Sequence, residues 1–516
     1  MTERFDAIVV GAGHNGLVCA AYLARAGLNT LVLDAAATIG GMAGTRSIGD
    51  DYHFPGLAHV AYPFSPAIRH DLALERYGYT PGTAIDTVSL AGNGKHLAFG
   101  STNVSGPDLP PADADAYPLF REQYLSFART LRPLFENKPP LLKGTPFRDK
   151  WTLARLGWNM RVKLGRDSMY ELLRVAGINI HDVLSDSFSD DRLAGAIAAE
   201  AVMGSAMGPR TPGTVLTWLQ WLQGALNGAL SLHSSTSIRA IAKSAEDAGA
   251  SIRLSTPVRR ILVENGSVAG LELKTGEMLT ANVIVSNADP RSTFIELVGL
   301  PQLDAMFGNR VTQIRGAGVV AKLLLALREK PVFSGLPEQA LGNRLLVAPS
   351  LQYVEQAFNA SKYGEYPKHP VLDIAIPSLL DNTLAPAGHH VMSVNVAFVP
   401  YDLRASGDRE KTAFVKRVIA LLGEYAPGIE SLIVEQEFLT PRDIEADYGA
   451  MRGHWHHGEL SIHQSFMLRP LYGAAQYDTP VGGLFLCGSG CHPGGGLTGL
   501  PGRNAARRVL ELGKAR

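Results

Sequence analysis

The chain has 516 residues, 48 Lys+Arg against 48 Asp+Glu, 46 % hydrophobic and 19 % charged residues. These values exclude a largely disordered chain, and zero net charge argues against a nucleic-acid partner. The length suits two or three domain-sized cores. The 54 glycines imply many tight turns and close backbone approaches.

Residues 5–10 (FDAIVV) read as a buried strand, and Gly11-Ala12-Gly13-His14-Asn15-Gly16 follows at once. A small-residue helix over 17–26 and a second strand over 28–33 (LNTLVL) complete the opening of a doubly wound sheet. In that setting Gly11 permits the tight turn, and Gly13 removes a Cβ where a pyrophosphate must approach. Gly16 lets the helix pack on the sheet. The helix N-terminus then turns free N–H groups and a positive dipole end toward phosphates. Asp34 ends the second strand, where a carboxylate accepts from ribose hydroxyls. Gly40-Gly41-Met42-Ala43-Gly44-Thr45 comes next, a pair of glycines able to bring backbone N–H groups to a second phosphate or a ring edge.

Residues 67–232 read as mostly helical, with proline breaks at 107–111 and 138–140. Arg148, Lys150, Arg155, Arg161, Lys163 and Arg166 make residues 148–166 basic. The stretch is either a solvated helix face or a contact with an anionic membrane surface. Residues 215–232 read as a buried helix, in which Trp218 and Trp221 pack the core or line an apolar tunnel. A second α/β piece follows, with a helix over 238–248 and strands over 251–254, 258–264, 268–274 and 282–286. Further strands are expected at 319–325, 371–376 and 390–398.

The end returns to glycine. A buried strand over 482–487 leads into GSGCHPGGGLTGLPGRN and a terminal helix. Six glycines within residues 488–499 suit a backbone packed against a flat ring, and N–H groups at the next helix start can stabilise negative charge there. Motif-bearing pieces at the start, middle and end imply a discontinuous cofactor domain. The expected fold is α/β: a Rossmann-like cofactor-binding domain (1–66, 233–300 and 455–516) with an inserted α+β substrate domain (67–232 and 301–454).

Other chemistries find little support. His454, His456, His457 and His463 have no acidic or cysteine partners at zinc spacing, so no metal is expected. No GxSxG hydrolase signature occurs, and no second GxGxxG follows a mid-chain strand. Cys19, Cys487 and Cys491 are too few for a disulfide scaffold. No leader pattern or spanning run of about 18 apolar residues is seen, so a cytoplasmic chain with peripheral membrane contact is expected. His59 and His492 are the weak catalytic candidates, each either facing the cofactor ring or making a structural hydrogen bond.

Together these residues resemble the phytoene-desaturase family of FAD-dependent oxidoreductases. GAGHNGLVCAAYLARAG and GGMAG carry the start of the pattern; HGELSIHQSFMLRP and TPVGGLFLCGSGCHPGGGLTGLPGRNAA carry its end. The resemblance extends to a subgroup holding desaturase-like β-carotene ketolases and a mitochondrial protein with a pyridine nucleotide-disulphide oxidoreductase domain. It implies FAD as cofactor, with Gly11, Ala12, Gly13, Asn15, Gly16 and Asp34 around the adenosine diphosphate part. It puts Gly41 and Met42 near the pyrophosphate and ring, and the Val258 backbone on the adenine. Gly488, Ser489, Leu497 and Thr498 would meet the ribityl chain and ring. Asp34 stands where many relatives have Glu, Cys491 where many have Thr, and residues 232–238 lack a usual glycine stretch. The implied reaction takes hydride from a C–H bond of a hydrophobic, isoprenoid or polyene substrate, with quinone or oxygen as electron acceptor. A flavin-dependent ketolase or isomerase, or a non-catalytic prenyl-binding protein of the same fold, are the alternatives.

Overall fold

The computed structural model describes residues 3–141, 147–405 and 407–513; the side chain of Arg148 lies outside the described residues. One sheet has seven strands. Glu3–Val10 runs parallel between Thr30–Leu33 and Met278–Ser286. Ser251–Arg253 extends the sheet past Thr30–Leu33, and Leu484–Leu486 pairs parallel with the C-terminal half of Met278–Ser286. The hairpin Val258–Glu264 and Ser267–Leu273 adds an antiparallel edge.

The apolar runs behave as their composition requires. Ala7, Ile8, Val9 and Leu31–Leu33 are fully buried, because helices cover the sheet. Helix His14–Arg25 packs against Thr236–Asp247 and Leu500–Gly513. Two glycines make this closeness necessary. A Cβ on Gly16 would stand 2.0 Å from the Gly11 carbonyl oxygen, and one on Gly502 would stand 2.1 Å from that of Asn15. The core also takes in Ile68, Leu72, Leu74 and Tyr79, and Phe307, Val311 and Ile314. It therefore reaches past the boundaries read at 66 and 300.

The second sheet has eight strands. In order they are Ile433–Leu439, Val320–Leu327, His390–Ala397, Leu372–Ala375, Arg344–Val347, Thr87–Ser89, Leu97–Phe99 and Val104–Ser105. All neighbours are antiparallel except Arg344–Val347 with Thr87–Ser89. The last three strands correct the helical reading of residues 67–232. Helix Asp408–Tyr425 covers one face. A helical layer packs elsewhere on this sheet, with Pro111–Glu136, Asp191–Val202, Thr214–Ala225 and Leu351–Lys362 sharing one core. The helix expected over 215–232 ends at Ala225; Ser231–Leu232 instead pairs with Val60–Ala61. Among the described residues no helix is long and apolar enough to cross a membrane.

Candidate active site

Three glycine-bearing loops meet at the C-terminal ends of the parallel strands. The first, residues 11–16, opens helix His14–Arg25, whose N-cap Gly13 carries no side-chain cap. Gly11 sits at φ +105°, a conformation that glycine adopts without strain. The Asp34 carboxylate folds back under this loop, accepting from Ala12 N–H at 2.6 Å and Ala36 N–H at 2.8 Å. Val258 opens its strand two residues beyond Thr256, whose N–H donates to the Asp34 carbonyl at 2.7 Å.

The second loop, residues 40–44, lies directly on the first. Gly40 N–H donates to Ala12 O at 2.9 Å, and Gly13 and Gly40 form a parallel bridge. Met42 accepts at its carbonyl from Leu57 N–H at 2.8 Å and packs beside Leu57 and Leu439.

The third loop follows Leu484–Leu486. A Cβ on Gly488 would stand 2.6 Å from the Asn287 carbonyl oxygen, so this strand end must be glycine. Asn15 Nδ2 reaches Ser489 Oγ at 3.5 Å. Leu497 and Thr498 are half-buried, and the Thr498 hydroxyl accepts from Leu500 N–H at the start of the last helix. Arg469 holds the loop in place. It is fully buried and donates to the carbonyls of Ser489 (2.9 Å), Cys491 (3.3 Å), His456 (2.7 Å) and Glu459 (2.8 Å). Burial lowers its pKa to about 10.

Histidines crowd this junction. His233 is buried and His14, His456 and His457 are half-buried, and loss of solvent around the rings pulls each below the ordinary imidazole value, His14 and His233 to about 4. They are therefore neutral at pH 7. A Cβ on Gly495 would overlap His456 Nδ1 at 1.6 Å. Among the described residues no three His, Cys, Asp or Glu side chains form a group able to hold a metal ion. The three cysteines are buried free thiols.

Beside the second loop lies a buried polar cluster. Lys322 is fully buried in strand Val320–Leu327. Its Nζ donates to Leu57 O at 2.9 Å, His59 Nδ1 at 3.1 Å and Asn395 Oδ1 at 2.7 Å. Burial drives the ammonium down to about 7, against the pull of Asp373. His59 Nε2 lies between Asn395 Nδ2 at 3.1 Å and Asp373 Oδ1 at 3.3 Å. Burial and then Lys322 hold His59 at about 4. Burial raises the Asp373 carboxyl, but Arg344 and His59 outweigh it and keep it well below the carboxylate range. Arg344 bridges Asp373 and Glu200, each at 2.9 Å. Leu57 links the two regions: its N–H meets Met42, and its carbonyl meets Lys322.

A model of flavin-containing amine oxidoreductases matches residues 16–510, nearly the whole chain. The chain belongs to that family. A mouse pyridine nucleotide-disulfide oxidoreductase domain-containing protein 2 is 32 % identical over 99 % of this chain and 94 % of its own length. One of the limonene dehydrogenase polypeptides of Castellaniella defragrans is 26 % identical over 99 % and 95 %. Phytoene desaturases match as well, at lower identity. Among solved structures, cyclohexylamine oxidase of Brevibacterium oxydans has a TM-score of 0.58 at 16 % identity, covering 99 % of both chains. This member of the family is thus an FAD-dependent oxidoreductase with a Rossmann-like FAD domain and a substrate domain.

The residues at the junction fit FAD. The uncapped N–H groups of helix His14–Arg25 suit phosphate. Four buried polar atoms there lack a hydrogen-bond partner among the described residues: His14 Nε2, Asn15 Oδ1, His456 Nδ1 and His457 Nδ1. The structure brings Gly11, Ala12, Gly13, Asn15, Gly16, Asp34, Gly41, Met42, Gly488 and Ser489 to one junction, and Val258 follows the turn at Asp34. His59 lies in the Lys322 cluster. His492 lies apart from it: its Nε2 meets the Leu134 carbonyl at 2.7 Å and its ring stacks on Phe135. Lys322, Asp373, Asn395 and Arg469 were missed by motif reading. A lone Lys inside the apolar run VVAKLLLAL was the available signal, since a charge in a buried strand is costly unless it has a task.

Proposed function

We propose that this enzyme takes a hydride from a C–H bond of a hydrophobic substrate of isoprenoid or polyene type, forming a double bond. One observation carries the reading. A fully buried lysine with a pKa near 7 stands one residue's width from the flavin-side loop. Desaturation removes a hydride from one carbon and a proton from its neighbour. Bound FAD supplies the two-electron acceptor. Lys322 in its neutral form, keeping its two N–H bonds on Leu57 O and Asn395 Oδ1, takes the proton at Nζ. Asn395 Oδ1 and Leu57 O fix the direction of its N–H bonds, and His59 with Asp373 keeps the surrounding charge constant. Aromatic rings of Phe120, Tyr124, Phe188 and Trp218 pack together in the helical layer and support an apolar substrate wall. The limonene dehydrogenase relative supports the same substrate class.

For the cofactor, Gly11, Ala12, Gly13, Asn15, Gly16 and Asp34 hold the adenosine diphosphate part in this reading, and Val258 the adenine. Gly41, Met42, Gly488, Ser489, Leu497 and Thr498 hold the pyrophosphate, ribityl chain and ring. His492 positions the third loop rather than reacting. Quinone or oxygen takes the electrons.

The basic segment supports a membrane contact. Phe147, Trp151 and Trp158 share one helical stripe and are 83 %, 67 % and 60 % exposed, with Lys150 and Arg155 exposed beside them. Aromatic side chains flanked by lysine and arginine suit an anionic lipid interface.

The test is anaerobic addition of limonene or phytoene, in detergent, to the FAD-loaded enzyme. Bleaching of the flavin with formation of a more unsaturated product supports the reading. An altered isoprenoid with the flavin still oxidised would favour isomerisation, and no reaction with any isoprenoid would overturn the substrate class.

A further inference from the structure

The helical layer contains a buried cation with no ion-paired carboxylate among the described residues. Arg121, on helix Pro111–Glu136, is 7 % exposed. Its protein partner is the Tyr62 hydroxyl, and its Nε has none. The acid whose charge acts on it, Glu200, is paired with Arg344 instead. Two further donors nearby, the indole N–H groups of Trp218 and Trp221, are buried and unpartnered, as is Glu200 Oε2.

These groups form one constellation. The Arg121 guanidinium lies 6.0 Å from the Trp218 ring centroid. Tyr62 meets Trp221 edge-on at 5.1 Å, and Arg344 lies 5.7 Å over the Trp221 ring. Buried polar groups are ordinarily paired, so four unpaired ones together point to something that fills the place. The free groups are three N–H donors against one acceptor, so the missing group is rich in acceptors. Arg344 already holds both Glu200 and Asp373, which leaves Arg121 as the guanidinium without an ion pair of its own among the described residues; a monoanion supplies one, and a dianion would leave a further buried negative charge. A planar carboxylate matches both a guanidinium edge and two indole N–H groups.

We propose that Arg121, Trp218 and Trp221 form a carboxylate subsite, so that the isoprenoid- or polyene-type substrate carries a carboxylate at one end of its apolar chain. This rests on the oxidoreductase reading for its turnover, but binding to the subsite does not. The aromatic wall of Phe120, Tyr124 and Phe188 beside Trp218 receives the chain.

Calorimetric titration of the FAD-loaded enzyme with decanoate, decanol and decyl phosphate tests it. Decanoate is expected to bind at least tenfold tighter than either of the others. Arg121→Met is expected to weaken decanoate at least tenfold and leave decanol unchanged; Trp218→Phe, which keeps a ring and loses the donor, weakens decanoate several-fold. Equal binding of acid and alcohol overturns the proposal, as do tighter binding of decyl phosphate, no binding of any of the three, or unchanged decanoate affinity in Arg121→Met. If Arg121→Met fails to fold, the wild-type comparison and Trp218→Phe decide alone. Flavin content of each preparation is measured separately: wild-type protein that cannot take up FAD would overturn the oxidoreductase reading and leave the acid–alcohol comparison standing.

Discussion

Replacing Lys322 with methionine separates its chemical role from its cost to the fold. Burial moves the ammonium from 10.5 to about 7, and at 1.36 kcal/mol per unit this corresponds to about 5 kcal/mol against the charged form. The sign follows from linkage. Between pH 7 and 10.5 the unfolded chain binds this proton and the folded chain does not, so wild-type stability rises with pH across that window. Lys322→Met relieves the penalty and strips a donor from Leu57 O, His59 Nδ1 and Asn395 Oδ1. Each stranded acceptor costs roughly 1–3 kcal/mol. The two effects are of similar size, so the variant should fold, bind FAD and lose the alkaline rise in stability. Its rate of anaerobic flavin reduction by an isoprenoid donor, followed by stopped-flow absorbance, should fall by about 10²–10⁴. Wild-type rates should climb with pH through an apparent value of about 7, and the variant's profile should be flat there. A variant that keeps both the wild-type rate and the climb would refute the assignment of Lys322.

Gly13→Val adds a Cβ that would stand 2.7 Å from Asn287 Nδ2 and blocks the approach to the helix N-terminus; flavin per polypeptide should drop to a tenth or less, read from absorbance after gel filtration. Arg469→Met strands at least four buried carbonyls. At roughly 1–3 kcal/mol for each orphaned group, denaturant titration should show a loss of several kcal/mol. Trp151→Ser combined with Trp158→Ser should reduce co-sedimentation with phosphatidylserine vesicles without changing flavin content; unchanged sedimentation would remove the membrane contact from residues 148–166.

The nucleotide-binding half was legible because its physics is local. A β-branched run, three spaced glycines and Asp34 lie within one short βαβ opening, and the strands at Glu3–Val10, Thr30–Leu33 and Val258–Glu264 appear where the periodicity puts them. Thr87–Ser89, Leu97–Phe99 and Val104–Ser105 were not legible. They have three, three and two residues, too few for an alternation to show, and only pairing with Arg344–Val347 and with one another makes them strands. The Lys322 cluster was hidden for a different reason. His59, Lys322, Asp373 and Asn395 come from separate segments, and sequence carries no signal for their meeting. Arg469 sits inside a stretch that carries the family resemblance, but its task becomes visible only through the six carbonyls it gathers.

The visible absorption spectrum of the purified protein, before and after anaerobic addition of an isoprenoid donor, tests the central claim most directly. A flavin spectrum that bleaches on addition is the expected result. A colourless protein that fails to take up added FAD would contradict the account.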